Sequence, residues 1–146
     1  MRHAPGIVLI GLAALLLSGC AAGSDDHPPT KQAYIARADA ICARMGRADR
    51  NIPTDTPLPE VLRQTTDLVS RGVSDLKALD RPAGHDRELD EWFVGLDQEV
   101  AAFSRMQPAA DRGDTAELFR LFSANDRLER KIQRAATRFG FNDCAR

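Results

Sequence analysis

Few side chains in this 146-residue chain are of the types that carry chemistry. Three are histidines, and one of them, His85, stands a helical turn before Glu88. His85-x-x-Glu88 reverses the Glu-x-x-His order by which helical bundles hold paired metals, and Glu-x-x-His itself does not occur, so His85 reads as a first-turn residue and no metal or cofactor is expected. Asp86, Glu88, Asp90, Glu91, Asp97 and Glu99 form the densest run of carboxylates. Two of them close together would make an acid/base pair, but a solvated acidic helix face is the simpler reading. Neither a Gly-x-Ser-x-Gly elbow nor a phosphate-cradling glycine loop is present, and nothing in the sequence argues for an enzyme. Asn125 is the one polar residue squarely on an otherwise apolar helix face. It is expected to hydrogen-bond between helices and fix their register; the alternative is a ligand contact in a pocket.

The cysteines at 20, 42 and 144 carry the stronger signal. Residues 1–19 begin with Arg2 and His3, continue through an uncharged apolar run from Gly6 to Leu17, and end in Ser18 and Gly19. That is the order of a secretory leader, and its apolar run is well short of the ~20 residues that span a bilayer. Leu17-Ser18-Gly19-Cys20 resembles the lipobox of bacterial lipoproteins, which implies a thioether-linked diacylglycerol on Cys20 and cleavage before it. The chain is therefore expected on the extracytoplasmic face of a bacterial membrane, its lipid bilayer partner engaged through Cys20. With Cys20 lipidated, Cys42 and Cys144 remain as one pair in an oxidising compartment, where a structural disulfide is favoured over two free thiols.

Positioning these residues requires helices. Residues 20–30 comprise the lipid site and a Gly-, Ser-, Asp- and Pro-containing tether whose ten residues span ~17 Å as a coil. Residues 31–146 form the domain. A first helix from Lys31 places Tyr34, Ile35, Ala38, Ile41, Cys42 and Met45 on one face, and the prolines at 53 and 57 end it. A second begins near Pro57 to Glu60, runs to about Leu79, carries the longest apolar stripe and is expected to set the bundle length at about 33 Å. The third covers roughly His85 to Gln107 along Leu89, Trp92, Phe93, Leu96, Val100, Phe103 and Met106, with Pro108 expected to end or kink it before a loop over 109–113. Asp114 and Glu117 have capping-box spacing for a fourth helix through Leu118, Phe122, Asn125, Leu128, Ile132, Ala135 and Phe139, which Gly140 closes. The expected fold is all-α: an antiparallel four-helix up-down bundle stapled by one disulfide.

Two short motifs at the ends of the domain, Tyr34-Ile35-x-x-Ala38-Asp39-Ala40-Ile41-Cys42 and Gly140-Phe141-x-x-Cys144, resemble small helical lipoproteins of actinobacteria. The resemblance implies a helical fold with the two motifs bridged through Cys42 and Cys144. It implies no activity.

Charge limits the remaining function classes. After loss of the leader, 19 basic residues face 21 acidic ones, a balance that does not suit nucleic acid. Residues 85–107 hold six acids and two arginines, whereas 115–139 hold six bases (Arg120, Arg127, Arg130, Lys131, Arg134, Arg138) and three acids. Helices three and four are expected to pair these flanks; the alternative is a basic stripe resting on anionic headgroups. The functional expectation is a non-catalytic lipoprotein that binds an envelope protein or cell-wall component, the alternative a small-ligand-binding bundle with a pocket between its helices. Oligomeric state is not legible.

Overall fold

In the computed structural model, residues 27–146 are described; the expected leader (1–19), the Cys20 lipid site and the tether up to residue 26 lie outside them. Four helices follow in order: α1 (Lys31–Arg50), α2 (Leu58–Lys77), α3 (Asp86–Asp111) and α4 (Thr115–Phe139), and a short 3-10 turn covers Asp143–Ala145.

Local chemistry sets most of the boundaries. Thr30 caps α1, its hydroxyl oxygen accepting from the Ala33 N–H at 3.2 Å. Pro59 sits in the first turn of α2, where its missing N–H has no helical partner to lose. Asp114 caps α4 by accepting from the Glu117 N–H at 3.1 Å. The reciprocal half of the capping box is absent, because the Glu117 carboxylate pairs with Arg120 instead. Gly140 ends α4 at φ +104°, and the N–H groups of Gly140 and Phe141 both donate to the Ala136 carbonyl.

Two expectations about helix length are corrected. Helix α3 continues through Pro108 to Asp111, so the loop expected over 109–113 shrinks to the turn around Arg112 and Gly113. Ala109 and Ala110 are buried against Leu62, Met106 and Leu118, and this packing outweighs the one backbone hydrogen bond that proline removes near a helix end. The bundle length is set by α3 and α4, with 26 and 25 residues (about 39 Å for the longer), not by the 20-residue α2.

The helices form an antiparallel up-down bundle in which each packs on the next in sequence. Gly72 of α2 lies so close to Met45 of α1, and Gly95 of α3 to Ile132 of α4, that a Cβ at either glycine would overlap its neighbour. The α1 and α4 backbones stand apart, the helices meeting where Tyr34 and Lys31 pack on Phe139 at the end of α4; the C-terminal turn lies against both and closes that side. The Cys42–Cys144 disulfide fastens the turn to α1. Beside it the buried Asp39 carboxylate accepts from the backbone N–H groups of Asn142, Asp143 and Cys144 at 2.9–3.1 Å, and from the Asn142 amide at 3.3 Å. A carboxylate receiving several N–H groups is a strong anchor, and here it arrests a chain end that would otherwise fray.

Apolar burial divides into two clusters. The larger, around Tyr34, Leu76, Leu89, Trp92, Phe93, Ile132, Phe139 and Phe141, unites all four helices and the C-terminal segment. The smaller, around Leu62, Met106, Ala109, Ala110 and Leu118, uses α2, α3 and α4 alone.

The expected pairing of α3 acids with α4 bases is absent among the described residues. Asp97 pairs with Lys77 at 2.6 Å, and Asp90 and Asp86 pair with Arg81 at 2.6 and 3.9 Å. The reason is helical phase. Residues 86, 90 and 97 fall within about 40° of one another on α3, on the flank facing α2 and the α2–α3 connection. On α4, residues 120, 127, 131, 134 and 138 fall within about 60° on the side opposite the buried positions 118, 125, 132 and 136. Arg127, Arg130, Lys131, Arg134 and Arg138 are all exposed, with no ion pair among the described residues.

Candidate ligand-binding cavity

The division of the core leaves a half-open cavity of about 490 Å³ on the side where α1 and α4 stand apart. Each element supplies a distinct part of its wall. The second half of α1 contributes Met45 and the small residues Ala43 and Gly46, which leave space where a larger side chain would fill it. Val69, Val73 and Leu76 come from α2; Trp92, Leu96 and Phe103 from α3; Ile132 from α4; and the disulfide borders the cavity at the C-terminal turn. Thr65, Gln133, Glu99 and Glu129 supply polar atoms within this lining.

Glu99 and Glu129 are there because of heptad spacing. On α3, residues 92, 96, 99, 103 and 106 alternate steps of four and three, and on α4 so do 118, 122, 125, 129, 132, 136 and 139. Each glutamate occupies one seam position in an otherwise largely apolar series, so each is drawn inward by its neighbours. Burial pushes the Glu99 carboxyl up from its ordinary 4.5 to about 7, and the like charge of Glu129 adds to the effect. Glu129 accepts from the Gln133 amide at 3.1 Å. Neither glutamate forms an ion pair among the described residues. The indole N–H of Trp92, also in the wall, is buried without an acceptor.

Arg47, Asp49 and Arg50 from α1, and Asp143 and Arg146 from the C-terminal turn, border the cavity. Arg146 pairs with Asp143 at 3.3 Å. These groups are exposed or half-buried, and burial and Glu129 govern Glu99 rather than any of the arginines.

The residues singled out from the sequence are distributed unevenly. Cys42 and Cys144 border the cavity as a disulfide. Asn125 is buried, 7% exposed, yet stands outside the cavity lining, and its Oδ1 has no hydrogen-bond donor, so the interhelical bond expected of that oxygen is not made. His85 lies at the start of α3, its Nδ1 2.7 Å from Glu88 and its ring edge-on to Phe139. That contact favours the ionised Glu88 carboxylate and lowers its pKa. No group of three or more His, Cys, Asp or Glu is placed to hold a metal among the described residues. Of the six acids between residues 85 and 107, Asp86, Glu88, Asp90, Glu91 and Asp97 are exposed, as a solvated face requires; Glu99 is the exception. Its seam spacing is the signal that distinguishes it.

What the arrangement can do is enclose an apolar body while presenting two carboxylates to it, the form of a small-molecule site with a few placed polar groups. No protein-family model, no curated protein sequence and no solved structure matches the chain.

Proposed function

We propose that this protein is a non-catalytic, small-ligand-binding lipoprotein, anchored through Cys20 outside the cytoplasm, that holds its ligand in the cavity between α1 and α4. The cavity carries this reading. At about 490 Å³ it has the size of a small-molecule pocket, with an apolar wall from all four helices. By contrast Leu58, Val94 and Phe119, the large apolar side chains left exposed, lie on three different helices, and apolar residues scattered singly over a surface are ordinary. The cavity therefore favours a ligand over a protein partner as the first thing bound, with an envelope protein or cell-wall component as recipient or source.

Trp92 is the chain's one tryptophan and lies in the cavity wall, so its fluorescence reports occupancy directly. Titration with an uncharged apolar probe such as octanol should shift its emission saturably. An unchanged Trp92 signal at probe saturation argues against a ligand site.

A glutamate whose carboxyl burial raises to about 7, lining the same cavity as a second glutamate, is also the pattern of a general acid/base pair, and this supports a second, catalytic reading. The two readings separate on product analysis: a carrier returns its bound molecule unchanged.

The anchor is tested separately. Fatty-acid labelling should tag the wild-type chain and not Cys20→Ala; a labelled variant refutes the lipid site.

A further inference from the structure

We infer that the cavity is built for an amphipathic amine, an apolar body carrying one protonated nitrogen that sits at the Glu99 and Glu129 carboxylates. The inference rests on the ligand-binding reading above and assigns the chemical class of the ligand.

The cavity holds carboxylates that lack an ion-pair partner among the described residues. A carboxylate withdrawn from water is expensive unless a cation or several donors meet it. Asp39 shows what this fold does when it buries an acid for structure: it surrounds the carboxylate with backbone N–H groups. Glu99 and Glu129 receive nothing comparable. Among the described residues they form no ion pair, and the Gln133 amide is the one side-chain donor, to Glu129. Two acids thus share a cavity in which none of the lining arginines, Arg47, Arg50 and Arg146, forms an ion pair with either.

The groups around them come from every packed element. Helix α2 presents Thr65 and aliphatic side chains, without charge. Helix α1 brings Arg47, Asp49 and Arg50, and the C-terminal turn brings Asp143 and Arg146, the last two paired with each other. Arg47, Asp49, Arg50 and Arg146 are exposed to water, where screening weakens their reach. An anionic ligand would place a third negative charge beside two others. An uncharged one would displace water from both carboxylates and return nothing. A protonated amine supplies the missing counter-charge, and Trp92, Leu96, Phe103 and Ile132 take the apolar part.

Protonation adds a dependence on pH. With its carboxyl near 7, Glu99 is mostly neutral at pH 6 and mostly ionised at pH 8, whereas an alkylamine remains protonated until roughly pH 10. Amine affinity should therefore rise about tenfold across that interval, while affinity for an uncharged analogue of the same shape should not.

The test uses three probes with one body and three heads: octylammonium, octanol and octanoate, titrated against the protein by Trp92 fluorescence and calorimetry at pH 6 and pH 8. The amine should bind at least about tenfold more tightly than the alcohol at pH 8, with octanoate weakest. Glu99→Gln should remove the pH dependence and most of the preference for amine over alcohol, and a cooperative urea unfolding transition shows that the variant is folded. Equal binding of the three probes, or octanoate binding tightest, overturns the amine assignment and leaves the cavity reading standing. No binding of any probe to the wild type overturns both.

Discussion

Replacing Glu99 by glutamine should make the protein more stable at pH 8, and the size of the gain follows from the structure. The carboxyl titrates near 7 in the folded protein against an ordinary value of 4.5. The folded state therefore keeps a proton that the unfolded chain releases, so stability is greatest below pH 4.5, falls between 4.5 and 7, and stays low above 7. Each unit is worth about 1.4 kcal/mol, so the wild type should lose about 3 kcal/mol across this window through Glu99 alone. Glutamine carries no charge at any of these values. At pH 8 the variant should exceed the wild type by about 3 kcal/mol, or about 10 °C in Tm, and the two should converge near pH 4.5. Urea unfolding at closely spaced pH values measures this, and the wild-type-minus-variant difference removes the contributions common to both chains. A difference that stays flat from pH 4.5 to 8 refutes the reasoning, since Glu99 would then not be withdrawn from water.

Three further outcomes are expected. Asp39→Ala leaves the N–H groups of Asn142, Asp143 and Cys144 without their acceptor and should cost about 2–4 kcal/mol, with hydrogen exchange at those three amides accelerating before that of α2 and α3. Reduction of Cys42–Cys144 opens a loop with a sequence separation of 102 residues and should cost about 2–5 kcal/mol in urea denaturation; an unchanged midpoint would mean that the Asp39 contacts hold the chain end unaided. Charge reversal at Arg127, Arg134 and Arg138 should weaken cosedimentation with vesicles containing anionic lipid and leave neutral vesicles unaffected, because these side chains lie on the exposed stripe of α4 without ion partners among the described residues. The stripe's last residues are near the start of α1: Lys31 lies over the Phe139 ring at 4.4 Å, one residue past Arg138.

The helices were legible because each announces itself twice, in period and in punctuation. The prolines at 53 and 57, the caps at Asp114 and Gly140, and the stripes of Trp92 and Ile132 place four amphipathic rods with little freedom. Proline misled once, at 108, since a local penalty near a helix end yields to the burial of Ala109 and Ala110. Charge misled more seriously. Counting acids over residues 85–107 treats Glu99 as one of six, whereas its position, three residues after Leu96 and four before Phe103, sets it on the seam. Glu129 has the same standing on α4, and Asp39 on α1, between Ile35 and Cys42. What sequence spacing does not reveal is how each of these acids, buried at 39 and half-buried at 99 and 129, is met. Asp39 finds its donors more than a hundred residues away, at a chain end whose return depends on the tertiary fold. Glu99 finds none, because α1 and α4 part at its level. Asn125 draws attention as the polar residue in an apolar stripe, yet it is walled into α4 outside the cavity.

The central claim is that the gap between α1 and α4 is a ligand site, and methyl NMR of the protein titrated with octylammonium at pH 8 tests it most directly. The account predicts saturable shifts confined to Met45, Val69, Val73, Leu96 and Ile132 in the cavity wall. Shifts centred instead on the exposed Leu58 and Val94, or none that saturate, would contradict it.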